Sequence, residues 1–252
     1  MPNAKFSTLI VHIPKAIMPH SSQDVYGKFN EEIRTLASRL EKLGSKKLRR
    51  FVIIGLIWGG NEVDNLLFIR TEAPYTLNFL VYIQNIYHNQ TCREEEYKFP
   101  YVMAKSIPFQ EDFESRLKDL WNEILQRISQ DPLSDMEIFH EEQEVFYHRL
   151  FLESEDSEKE YIGIYQSFSA WWNSLAGRFS IESGMCIKSE KLYMDLTKEL
   201  EQKEIVPNKE LQISFLYDHG PNREMSSYFA VVSINDLVLN YKETLPRILE
   251  CF

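Results

Sequence analysis

The sequence is short of the residues from which most small catalytic and metal centres are built. Among 252 residues there are 9 Gly, 3 Cys and 6 His, and none stands in a spacing that carries chemistry. Phosphate cradles need Gly where the backbone approaches the ligand, and zinc sites need Cys or His in close pairs. There is no P-loop, no GxGxxG turn and no GxSxG elbow, which removes the common nucleotide-binding and serine-hydrolase signatures. Cys92, Cys186 and Cys251 are an odd number without a CxxC pair. That pattern argues against a disulfide framework and for free thiols in a reducing compartment; no metal or other cofactor is expected. Long apolar runs are also missing. The longest, residues 51–58, is far shorter than the ~20 residues that cross a bilayer. No basic segment followed by an apolar stretch and a cleavage site opens the chain, so Asn89-Gln90-Thr91 reads as a chance glycosylation sequon. A cytoplasmic location, away from membranes, is the expectation.

What is present is ordinary globular material. Hydrophobic residues make up 44% and charged residues 26%, and the 13% of aromatics supply bulky core side chains. A chain of this length buries about 70–75% of its unfolded surface and needs no covalent staple. The formal charge is −10, from 28 Lys+Arg against 38 Asp+Glu. Nucleic acid draws its affinity from Lys and Arg, and the one compact basic run is Lys46-Lys47-Leu48-Arg49-Arg50. It follows a predicted helix end, where cations complement exposed carbonyls, so nucleic acid is not the expected partner.

Periodicity predicts an α+β fold with a mixed or antiparallel sheet packed by amphipathic helices. Strands are expected at residues 6–13, 51–58, 66–70, 75–88, 97–107 and 145–152. A helix carries Val25, Phe29, Ile33, Leu36, Leu40 and Leu43, with Gly44 at its left-handed cap position. The clearest helix carries Phe109, Phe113, Leu117, Leu120, Trp121, Ile124, Leu125 and Ile128, and Asp131-Pro132 stops it. Tyr161, Tyr165, Phe168, Trp172, Leu175 and Phe179 recur at helical spacing, and Ser189 is expected to cap a further helix with Leu192, Leu196 and Leu200. Residues 211–217 and 228–234 read as a hairpin around Asp218-His219-Gly220-Pro221-Asn222. Asn235 or Asp236 would cap the last helix, with Pro246 at a helix start or a kink. Residues 131–144 are acidic and aperiodic, so a division into lobes 6–130 and 143–252 is the alternative to a single domain.

Four groups of residues invite a chemical reading. His140-Glu141 opens like a zincin helix, but Glu144 stands where the second His is required. Asp64 with Glu96 and Lys98 resembles the acid and Glu-x-Lys arrangement by which some nucleases hold Mg²⁺, although Glu94-Glu95-Glu96 is more simply a solvated loop. Tyr217, Asp218, His219 and Arg223 crowd one hairpin tip, where His beside Asp offers an acid/base pair. Turn chemistry accounts for the same residues. Trp171 and Trp172 point about 100° apart on a helix, so both cannot centre on a narrow buried stripe, and an exposed Trp is a typical interaction anchor.

Two functions from different classes follow. The first is an intracellular protein-binding module, of the inhibitor, immunity or regulatory-adaptor kind, acting as a monomer or weak dimer. Its acidic surface at Glu153, Glu155, Asp156 and Glu158, with Trp171 as anchor, would take a basic partner protein. The second is a Mg²⁺-dependent nuclease-like enzyme using Asp64, Glu96 and Lys98.

Overall fold

The structure, a computed structural model, describes residues 52–54, 67–91, 97–101, 107–222 and 225–252. The elements run β1 (Val52–Ile54), β2 (Ile69–Glu72), α1 (Tyr75–Thr91), α2 (Phe113–Gln130), a 3₁₀ turn (Pro132–Ser134), α3 (Asp135–Glu141) and α4 (Gln143–Leu150). They continue through α5 (Glu155–Trp172), α6 (Arg178–Gln202), β3 (Leu211–Leu216), β4 (Met225–Ser226), β5 (Phe229–Ser233), α7 (Ile234–Val238) and α8 (Tyr241–Leu249). The fold is α+β, a mixed sheet packed by helices. The expected strand at 6–13, the helix at 25–43, the basic run at 46–50 and the residues Asp64, Cys92, Glu96 and Arg223 lie outside the described residues.

The sheet order is β1-β2-β3-β5-β4. β1 runs antiparallel to β2, while β2, β3 and β5 are parallel neighbours in the registers Ile69↔Leu211 and Gln212↔Phe229. Every residue of β3 and β5 is buried, as unbroken apolar strands covered on both faces should be. The predicted pairing of 211–217 with 228–234 as a hairpin is therefore corrected: the two strands are parallel. The hairpin at this place joins β4 to β5, in the register Ser226↔Phe229, and Tyr228 takes its left-handed position at φ 59.

The largest correction concerns residues 75–88, expected as a strand and found as the seventeen-residue helix α1. Its neighbours α2, α3, α5 and β3 surround it, and twelve of its residues are buried. A helix covered on all sides has no polar face, so it shows no amphipathic period. Asp135 caps it from a distance. Its carboxylate accepts from Tyr75 N (2.9 Å) and Thr76 N (2.8 Å), which satisfies two of the orphan donors of the first turn.

Further corrections follow the same logic of packing over local pattern. Residues 145–150 belong to α4, where Phe146, Tyr147 and Leu150 share the buried face; beyond it, Phe151 forms an isolated bridge to Phe109. Residues 97–101 are irregular, with a cis Phe99–Pro100 bond, rather than the start of a strand. The aperiodic segment after Asp131 holds the 3₁₀ turn and α3. α5 ends at Trp172, so Leu175 is exposed instead of continuing its stripe. Gly177 is required in the turn that follows, since a Cβ there would lie 2.3 Å from Trp171 O. Ser189 lies inside the 25-residue α6, its hydroxyl bonded back to Cys186 O, and caps nothing. Ser233 rather than Asn235 or Asp236 caps α7, accepting from Asp236 N. Pro246 sits inside α8.

α2 behaves as predicted. Phe113, Leu117, Leu120, Trp121, Ile124, Leu125 and Ile128 are all buried, and Trp121 is completely so. The centre of the helical layer is aromatic. Phe79 of α1 meets Phe139, Phe146, Tyr161, Tyr165 and Phe168 at centroid distances of 5.1–6.3 Å, mostly edge-on or tilted, the arrangement that ring quadrupoles favour.

Candidate functional site

Two regions gather the polar chemistry. The first lies beyond the carboxyl end of β3. Three asparagines, Asn78, Asn85 and Asn89, stand seven and four residues apart and so share one face of α1. All three are buried, and together they hold the end of β3 and the irregular segments 97–100 and 217–218. Asn78 donates to Phe215 O (3.0 Å) and Pro74 O (2.7 Å) and accepts from Tyr217 N (2.9 Å). Asn89 closes on the backbone of Lys98, accepting from its N–H and donating to its carbonyl, both at 2.8 Å, and donates also to Pro100 O. Asn85 stands between them. Its amide nitrogen reaches Phe99 O and Asp218 Oδ2, both at 2.9 Å, and Tyr217 Oη at 3.2 Å.

The ladder of asparagines fixes the chemistry of the residues that follow β3. Tyr217 donates its hydroxyl to Phe99 O. Burial, reinforced by the Asp218 carboxylate and by Tyr82, holds its phenol well above the ordinary tyrosine range, so it is a donor and not a base. Asp218 is committed to Asn85 and to the N–H of His219 at 2.7 Å. The carboxylate beside the His219 ring is that of Asp236, whose Oδ2 is 3.5 Å from Nδ1. The sequence reading thus paired His219 with the wrong acid, because Asp218 is its chain neighbour while Asp236 arrives from α7. A half-exposed imidazole backed by a buried carboxylate can accept a proton. Among the described residues no hydroxyl or thiol is hydrogen-bonded to it that would act as a nucleophile.

Trp171 joins this region. It is half-buried, 4.7 Å from the ring of Phe99, 5.0 Å from Tyr217 and stacked on Tyr82, while Trp172 is fully buried against Phe168. The structure therefore brings Trp171 against Tyr217, a residue of a different group in the sequence.

The second region is the acidic run, and it is no loop. Ser154 caps α5 in a reciprocal box with Ser157, and Glu155, Asp156 and Glu158 form the first turn of the helix, where carboxylates complement the dipole. Trp171 lies sixteen residues further along α5, about 24 Å away at the helical rise. Hydrogen bonds link the start of α5 to α4, from Tyr147 Oη to Ser154 O and between Tyr147 Oη and Ser157 Oγ, and the middle of α5 to α3, between His140 Nδ1 and Tyr165 Oη. Residues 135–160 carry ten acidic and two basic side chains, most of the excess behind the chain's formal −10. Glu153 pairs with His148, Glu155 with Lys159, and Glu142 with Arg127, whose guanidinium holds the Glu142 carboxyl below its usual range. Glu141, Glu144, Asp156, Glu158 and Glu160 are exposed and form no salt bridge among the described residues.

Of the nuclease-like set, only Lys98 is described, and its backbone is held by Asn89. His140 and His148 turn to Tyr165 and Glu153, and no cluster of metal-ligating side chains occurs among the described residues. No helix among the described residues is long and apolar enough to cross a membrane. No protein-family model, no curated protein and no solved structure matches the chain.

Proposed function

We propose that the chain acts by binding a basic protein through the acidic surface of α3, α4 and α5. The observation that carries this reading is Glu141. It is the last residue of α3, where the helix dipole disfavours a carboxylate, and it is exposed without a salt bridge among the described residues. The acids at the start of α5 stabilise their own helix. Glu141 does nothing of the kind for α3, and the same holds for Glu160, which lies beyond the first turn of α5. Ile162 supplies an apolar contact beside this charge. It is 46% exposed and stands four residues after Glu158 and seven after Glu155, on the same helical face. Carboxylates around an apolar anchor would speed encounter with a cationic surface, and the anchor would prolong the complex.

The test uses the immobilised protein, extract of the producing organism at low salt, and identification of what it retains. The retained partner should be basic. Its association with an E141K/E160K variant should slow about tenfold or more at low ionic strength, with the difference closing as salt is raised, as steering does. I162D should leave the association rate nearly intact and accelerate dissociation. An unchanged association rate for E141K/E160K at low salt would overturn the reading, as would magnesium-dependent cleavage of nucleic acid by the purified chain.

A further inference from the structure

We infer that the groove between α6 and the α7–α8 elbow is a binding site for a small organic phosphate. The groove is a cavity of about 430 Å³ lined by Lys188, Lys191, Leu239, Asn240, Tyr241, Lys242 and Glu243. Three lysines line one cavity of a chain whose formal charge is −10. They come from two elements far apart in sequence, so the convergence is made by the fold and is not a basic run on one helix.

The three lysines have different tasks. Lys191 is already committed, 2.5 Å from Asp195 Oδ2 and with its ammonium 4.1 Å from the centroid of Tyr241. Tyr241 Oη donates to the same Asp195 oxygen at 2.8 Å, so lysine, tyrosine and aspartate form a fixed wall. Lys188 and Lys242 form no salt bridge among the described residues, and they are the groups free to meet an anion. Glu243 also lines the cavity and opposes them with one charge, which leaves a net positive site.

The backbone adds donors of the right kind. Asn240 stands at the N-cap of α8, but its side chain makes no cap bond; it turns back toward Asp236 Oδ1. No side chain therefore occupies the N–H groups of Tyr241 and Lys242, two residues that line the cavity, while the Glu243 N–H is bonded to Asn240 O. Ammonium groups together with helix N–H donors are the set that recognises a phosphoryl group. The cavity has the volume of sites that take whole small molecules, and Leu239 and Tyr241 give it an apolar side. Both features call for an organic body attached to the phosphate.

The full chain, labelled with ¹⁵N, is titrated at low salt with adenosine 5′-monophosphate, adenosine and inorganic phosphate. The nucleotide should shift the amides of Tyr241 and Lys242 with saturation, and a K188Q/K242Q variant should bind it at least tenfold more weakly while keeping the wild-type spectrum elsewhere. Adenosine should produce no saturable shift. Glucose 6-phosphate, run in parallel, covers a ligand whose body is not a base. The inference is overturned if neither organic phosphate perturbs these amides, if K188Q/K242Q binds as the wild type does, or if inorganic phosphate binds as tightly as the organic esters.

Discussion

Replacing Asn78 tests whether the asparagine ladder of α1 holds the segment after β3. In N78A the carbonyl of buried Phe215 and the N–H of half-buried Tyr217 lose their side-chain partner. Pro74 O keeps the backbone N–H of residue 78, so it is not stranded. Each buried polar group left unpaired costs about 1–3 kcal/mol, and two of them give about 2–6 kcal/mol. That is a large share of the roughly 5–15 kcal/mol by which a domain is stable. N78L restores most of the volume without restoring the bonds, so it should be nearly as damaging; a pure cavity effect would instead be repaired by leucine. Urea unfolding followed by far-ultraviolet circular dichroism measures both. If N78A and N78L each cost less than about 1 kcal/mol, the range of surface changes, the ladder does not hold this segment.

Trp121→Ala should cost about 3–5 kcal/mol in the same assay, since the indole is completely buried and backs directly onto Gly220; a loss below about 1 kcal/mol would place it at the surface. Reversing Glu155, Asp156 and Glu158 to Lys should lower stability by about 1–3 kcal/mol, the sum of three dipole terms, whereas E141K should leave it unchanged or raised. Equal melting temperatures for the two variants would contradict the placement of the acids at opposite helix ends. The Glu142 carboxyl, held low chiefly by its hydrogen bond to Arg127, contributes stability that is present above its unfolded pKa and lost as pH falls through the folded one. E142Q should flatten that part of the acid unfolding curve, and an unaltered curve would refute it. The Cys251 thiol, pushed up to about 11 by burial, should resist alkylation at pH 8 until the chain is unfolded.

The sequence was most legible where one face of an element is buried and the other is wet. α2 was readable for that reason, from Phe113 to Ile128. α1 was not, because it is enclosed, and because Asn78, Asn85 and Asn89 put polar residues on a buried face. Their distant partners are backbone groups of Lys98, Phe99, Pro100, Phe215 and Tyr217 and the side chains of Tyr217 and Asp218, and nothing local in α1 announces them. The strand after Tyr228 was readable, but its direction was not. Asp218-His219-Gly220-Pro221-Asn222 is indeed turn chemistry, yet the real two-residue turn falls at Ser227-Tyr228, where no Gly or Asn marks it. At the candidate site the composition grouped Tyr217, Asp218 and His219, which do lie beside one another after β3. It missed Asp236 and Asn85, which arrive from other elements. The acidic run was visible as charge but not as the start of a helix, since Ser154 and Ser157 form the capping box without the usual Glu.

The parallel pairing of β2 with β3 sets an order on biosynthesis. Ile69 pairs with Leu211, so all six long and short helices from α1 to α6 are made between the two strands. At roughly 5–20 residues per second a ribosome needs about 7–28 s to cover that interval. Helices form and collapse in far less than a second. The aromatic cluster around Phe79 consequently has time to assemble while β2 still lacks its neighbour on that side. Closing so long a loop adds little entropy cost per extra residue, but it comes late, and β2 gains β3 only after the six helices between them are made. During those seconds the nascent chain presents an unpaired edge of β2, Ile69-Arg70-Thr71-Glu72. The helical layer, already packed on α1, is what must keep that edge from pairing with another chain.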